Sequence, residues 1–113
     1  MVAVLNEHLL NELRDLMGED FNLLIDTYRS DSDFRLKKIQ ESIAASEFSD
    51  VVSAAHSLKG SSANIGALTM EELCHQLVLA GREGDQSSMT YLLPKLKTEF
   101  EHIRAYFSDI PSQ

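Results

Sequence analysis

The segment His56-Ser57-Leu58-Lys59-Gly60-Ser61-Ser62-Ala63-Asn64-Ile65-Gly66 places an imidazole, an ammonium and a bare backbone position within one helical turn and a fraction. A neutral imidazole is a nucleophile at near-neutral pH, because an unperturbed histidine titrates near ~6.5. Residues three and four apart share one face of a helix, so Lys59 and Gly60 fall on the side of His56, and Ala63 continues that side. These residue types suit phosphoryl acceptance. A phosphoryl group on the ring brings negative charge, and an ammonium one turn away offsets it as it develops. Gly60 is the oddity, since a mid-helix glycine costs about 1 kcal/mol relative to alanine. Its use is close approach of something to the backbone, either a neighbouring helix or a partner. Plainer readings stand beside these: a half-exposed surface histidine, a solvated lysine, and a glycine that serves helix packing.

The segment holds no nucleotide loop. In Lys59-Gly60-Ser61-Ser62 the lysine precedes the glycine and lies within a helical pattern, unlike G-x-x-x-x-G-K-[ST]. Nothing in it binds a donor's metal ion. The chain reads as half a catalytic site, with the phosphoryl donor supplied in trans.

The elements that must position this segment are helices. Leu5, Leu9, Leu10, Leu13, Leu16 and Met17 form one apolar stripe, stopped by Gly18. Phe21, Leu24, Ile25, Tyr28, Leu36, Ile39 and Ile43 form a second, with Ser32 in the small slot; the polar run Ser30–Asp33 could bend or split it. Phe48, Val51, Ala55, Leu58, Ser62 and Ile65 form a third, ending at Gly66. Thr69 and Glu72 make a capping box for a fourth helix that carries Leu73, Leu77 and Ala80 and ends at Gly81 and Gly84. Asp85 caps a fifth, with Met89, Leu92, Leu93, Leu96, Phe100, Ile103 and Phe107 at helical spacing. Pro94 predicts a kink there, or a helix proper that begins near Leu93. No two-residue alternation supports strands. Short connections make neighbours antiparallel, so the expected fold is all-α: an up-and-down four-helix bundle with an additional short N-terminal helix, roughly residues 5–17, across one end or side.

Composition bounds the function. The 113 residues fit one domain, spanning 1–113, and carry a formal charge of -8. That balance disfavours nucleic acid and anionic membranes, which take basic patches. The first 50 residues hold 11 acids and 5 bases, against 7 and 5 in the remainder, so the charge is predicted to be uneven and lifted around His56 by Lys59 and Arg82. The single Cys74 excludes an internal disulfide and a cysteine-rich zinc site. No signal peptide or run of 18 apolar residues is present, which points to a cytoplasmic protein without membrane insertion.

The run Ala55-His56-Ser57-Leu58-Lys59-Gly60-Ser61-Ser62-Ala63-Asn64-Ile65-Gly66-Ala67 resembles the signature of histidine-containing phosphotransfer domains of multistep two-component phosphorelays. Gly18-Glu19-Asp20-Phe21, Leu73-Cys74, Leu77–Arg82 and Leu96-Lys97-Thr98-Glu99-Phe100 extend the resemblance over nearly the whole chain. It implies a four-helix bundle with an exposed phosphorylatable histidine. Such a domain relays a phosphoryl group from a receiver-domain aspartate of a hybrid sensor kinase to the aspartate of a response regulator, without binding ATP or phosphorylating itself. By the family pattern His56 is the acceptor through Nε2, Lys59 assists phosphoryl binding, Gly60 gives the receiver close access, and Gly66 permits the turn. Arg82 aligns with a position that is basic in some members. Val78 stands where some members carry a polar residue, so that contact is absent. No cofactor is implied for this chain; the Mg2+ ion belongs to the partner receiver. Met1 and the short tail to Gln113 suggest a free-standing protein, and a monomer is expected.

The other histidines and the cysteine have plainer readings. His75 is read as a surface or boundary residue, His8 and His102 as surface residues, and Cys74 as small core filling. Two competing functions remain. One is a docking module that binds and sequesters a receiver or kinase without chemistry, which leaves the imidazole unexplained. The other is a helix-turn-helix DNA binder around Gly66, whose second helix would push Glu71 and Glu72 at phosphates.

Overall fold

The computed structural model describes residues 5–108. Five helices follow in order: α1 Glu7–Met17, α2 Asp20–Ala44, α3 Phe48–Asn64, α4 Leu68–Glu83 and α5 Gln86–Ser108. Helix α2 packs on α3, α3 on α4, α4 on α5, and α5 back on α2, with no diagonal pair in contact. This closed ring is the up-and-down four-helix bundle, with α1 as the additional N-terminal helix. No strand occurs among the described residues, and no described helix is long and apolar enough to cross a membrane. The chain ends on which the free-standing expectation rests lie outside the described residues.

The apolar stripes become the core. Ile39, Leu58, Ile65, Met70, Leu77, Met89, Leu96 and Ile103 are all fully buried. Helix α2 is continuous through Ser30–Asp33, because Ser32 is buried and fits its small slot. The other residues of the run are exposed or half-buried, and i,i+3 and i,i+4 pairs in and beside it (Asp26–Arg29, Asp31–Arg35, Asp33–Lys37) neutralise its charge locally at 2.8, 2.9 and 3.2 Å.

Helix α1 caps the end of the bundle that holds the α3–α4 turn. The Asn6 amide donates to the Gly66 carbonyl at 2.8 Å, Leu10 is buried, and the Tyr106 hydroxyl donates to Glu7 at 2.7 Å. Gly66 takes φ +72, and a Cβ there would lie 2.9 Å from Asn6 Cβ, so both the turn and α1 require glycine.

Three local expectations are corrected. The capping box on Thr69 does not form: Ala67, held extended by a bridge to Leu5, occupies the N-cap, and α4 starts at Leu68. Gly81 does not end α4. It is buried inside the helix, and termination falls to Gly84, whose left-handed φ of 67 closes the last turn. Pro94 lies inside a continuous α5, so of the two outcomes expected of it the helix start near Leu93 is set aside. Pro94 and Thr90 both face outward, so the carbonyl that loses its amide partner can be hydrated instead. Asp85 does cap α5, accepting from the Ser88 amide at 3.1 Å.

Gly81 also sets how closely α3 and α4 approach. A Cβ there would meet Val52 Cγ2 at 2.7 Å, and a β-branched side chain in a helix has little rotamer freedom to move away. Gly81→Ala should therefore destabilise the fold by about 1–3 kcal/mol, despite the better helix propensity of alanine. A lower urea midpoint than wild type checks it; an equal or higher midpoint contradicts the close approach.

Candidate functional site

Helix α3 turns Val51, Ala54, Ala55, Leu58 and Ser62 into the core. With that face fixed, His56 and Gly60 are exposed, while Lys59 and Ala63 are half-buried along the α4 side. The surface around His56 is built of small residues, Ser53, Ser57, Gly60 and Ala63. From Val51 to Met70 the only formally charged side chain is Lys59. The acids lie on α1, α2, α4 and α5 instead, and α3 carries none after Asp50.

Gly60 resolves the two uses open to it. A Cβ built there meets nothing within 4 Å, so no neighbouring helix requires the glycine. The space beside His56 is open to an approaching molecule.

Lys59 turns toward α4. Its Nζ lies 3.3 Å from His75 Nδ1 across the α3–α4 seam. His75 was read from sequence as a plain surface or boundary residue; it is half-buried and in contact with Lys59. The signal was present in the hairpin, since Lys59 and His75 stand equally far from Ala67 in the turn. Arg82 is exposed in the last turn of α4, and no hydrogen bond or ion pair joins it to His56 or any other described residue. Its neighbour Gly81 packs at Val52, a full turn before His56 on α3. Val78 is buried in the bundle.

Beneath this face the bundle is held by a buried polar link. The Tyr28 hydroxyl and Ser62 Oγ lie 2.9 Å apart, joining α2 to α3. Burial pushes the Tyr28 phenol from 10.0 up to about 12. Burial likewise pushes the Cys74 thiol from 9.0 up to about 12, with Lys59 nearby pulling weakly the other way. Cys74 is thus a protonated core residue at neutral pH and no nucleophile. His8 is fully outside and pairs with Glu12 at 2.8 Å. His102 departs from its surface reading: it is half-buried, 3.5 Å from the buried carboxylate of Glu99. Among the described residues no group of three or more His, Cys, Asp or Glu side chains is placed to hold a metal ion.

An Hpt domain family model matches residues 23–106. The chain belongs to the Hpt family. The match runs from within α2 to near the end of α5 and so spans the whole four-helix ring. A search of curated proteins gave no match. Among solved structures, the chain is similar to the crystal structure of histidine-containing phosphotransfer protein B (HptB) from Pseudomonas aeruginosa PAO1, at 29% identity and a TM-score of 0.89, covering 92% of this chain and 90% of that one. This Hpt protein is a histidine phosphotransfer intermediate of a phosphorelay, and Hpt domains work with receiver domains and response regulators.

The raised pKa values give a stability prediction. Tyr28 and Cys74 both ionise at higher pH in the folded chain than in the unfolded one. Their contribution is complete below about pH 9 and is lost as pH rises toward 12. The urea midpoint should fall between pH 8 and pH 11, and fall less in Cys74→Ala, which lacks one of the two groups. Equal falls in the two proteins would contradict the account of Cys74.

Proposed function

We propose that His56 is the phosphoryl acceptor, and that the protein carries the group from a receiver-domain aspartate of a hybrid sensor kinase to the aspartate of a response regulator. The observation that carries this reading is the exposure of His56 beside the open space at Gly60, on a helix that carries no acid after Asp50. The lone pair of the unprotonated Nε2 attacks the phosphorus of the receiver's aspartyl phosphate. The N–P bond forms, the P–O bond to the aspartate breaks, and the electron pair leaves with the carboxylate. The Nδ1 proton stays on the ring or passes to solvent. The same step in reverse delivers the group to the second receiver.

Lys59 sits one turn from His56 and offsets the charge of the incoming group at low reorganisation cost. Gly60 keeps the approach free of side-chain bulk. Arg82 has the weaker claim: it reaches the phosphoryl group only by an extended side chain or through the partner. No cofactor is assigned to this chain, and the Mg2+ ion sits with the receiver's own acidic residues. Phe34 adds an apolar contact. It is 68% exposed, and it lies as far along α2 from Tyr28 as His56 lies back along α3 from Ser62, so the two are level across the Tyr28–Ser62 link. A receiver broad enough to span α2 and α3 at that level would meet both. The protein acts as a cytoplasmic monomer, and nucleic acid and membrane have no part in its function.

Incubation with a phosphorylated receiver tests the reading. The wild type should take up phosphate, and His56→Gln should take up none while keeping its helical fold, since an exposed side chain contributes little packing. Uptake by His56→Gln at the wild-type rate would overturn the assignment. Binding of the receiver with no transfer to the wild type would favour a docking module.

Gly60→Ala separates folding from transfer. With open space around it, alanine should raise stability by about 1 kcal/mol through helix propensity. The same methyl should slow transfer from the receiver. A variant that is more stable and transfers at the wild-type rate would remove Gly60 from the site.

A further inference from the structure

The contact between Lys59 and His75 bears on the same transfer reaction. An ammonium has three donors and no acceptor. At 3.3 Å from Lys59 Nζ, His75 Nδ1 is therefore the acceptor, and the ring carries its proton on Nε2. Among the described residues Lys59 makes no ion pair, and His75 is its only side-chain hydrogen-bond partner. No carboxylate pairs with it, though the half-buried Glu71 also stands one turn before His75 on α4. Glu72, one turn before His75, accepts from Gln76 at 3.2 Å, and Glu99 lies buried near His102 on α5. A lysine on a flexible four-carbon stem samples many positions unless something holds its head. Here a neutral group from the adjacent helix holds it without cancelling its charge.

We propose that His75 is a positioning residue for phosphoryl transfer: by accepting from Lys59 through Nδ1, it holds the ammonium at the α3–α4 seam, one turn along α3 from His56. This rests on the reading that His56 takes the phosphoryl group and Lys59 offsets its charge. An acidic residue in the place of His75 would bind Lys59 more tightly but neutralise it. An apolar residue would leave it free to move. An acceptor that is neutral at working pH keeps both position and charge.

The test uses the full chain at pH 8, where an ordinary imidazole is neutral. His75→Leu removes the acceptor; His75→Asn keeps a carbonyl oxygen close to the place of Nδ1. Transfer from a phosphorylated receiver should slow about three- to tenfold in H75L, the scale of one typical hydrogen bond lost. It should recover most of the wild-type rate in H75N. In a Lys59→Ala background H75L should cause no further loss. Nitrogen-15 spectra of the unphosphorylated protein should show the Nε2–H tautomer of His75 in the wild type and a mixture of tautomers in K59A. The proposal is overturned by wild-type transfer in H75L, by equal loss in H75L and H75N, by undiminished loss in the K59A background, or by a His75 tautomer that ignores Lys59. The tautomer is read without phosphate, so it stands apart from the acceptor assignment, which fails only if H56Q still takes up phosphate.

Discussion

The close contact of α3 with α4 is the constraint on which the rest depends. Val52 seats against the bare backbone of Gly81, and Gly66 turns the chain tightly enough to bring the two helices together. That register decides which α3 residues are core and which are not. Val51, Ala55, Leu58 and Ser62 go inward, and His56 and Gly60 are left outside. It also carries Lys59 to His75. The three glycines on this pair of helices thus do different work. Gly66 takes a backbone shape other residues avoid, Gly81 admits a neighbouring side chain, and Gly60 leaves a space that nothing in the chain fills.

Around that hairpin the charge is sorted by helix. Three acids of α2, Asp26, Asp31 and Asp33, find lysine or arginine one turn away on their own helix, while α3 from Val51 onward carries no acid. A receiver domain offers an acidic pocket, and two acidic proteins meeting at random would repel. Keeping acids off α3 after Asp50 leaves its outer side with small neutral residues, one imidazole and one ammonium. The buried Tyr28–Ser62 link ties that surface to α2, so His56 stands on a stiff support.

Much of this was legible in the sequence. Five stripes at spacings of three and four gave the helices, and His56, Lys59, Gly60 and Gly66 marked the third one and its turn. What escaped depends on contacts between elements. Thr69 looks like a cap until Leu5 pairs with Ala67 and moves the helix start. Gly81 reads as a stop because its use is a side chain on another helix. Pro94 reads as a kink or a late helix start because the cost of its missing amide depends on which way the Thr90 carbonyl faces. His75 seemed idle for the same reason, although its distance from the turn matches that of Lys59. The open space at Gly60 is also a property of the packed bundle alone, since the spacing fits tight helix packing equally well.

On the proposed function, one of the four histidines is chemically distinct because the bundle leaves its surroundings bare. The direct measurement is the location of phosphate after brief exposure to a phosphorylated receiver, read by fragmentation mass spectrometry under conditions that spare the N–P bond. The account predicts phosphate on the peptide that contains His56 and none on His8, His75 or His102. Phosphate on any of those three at comparable occupancy would contradict it.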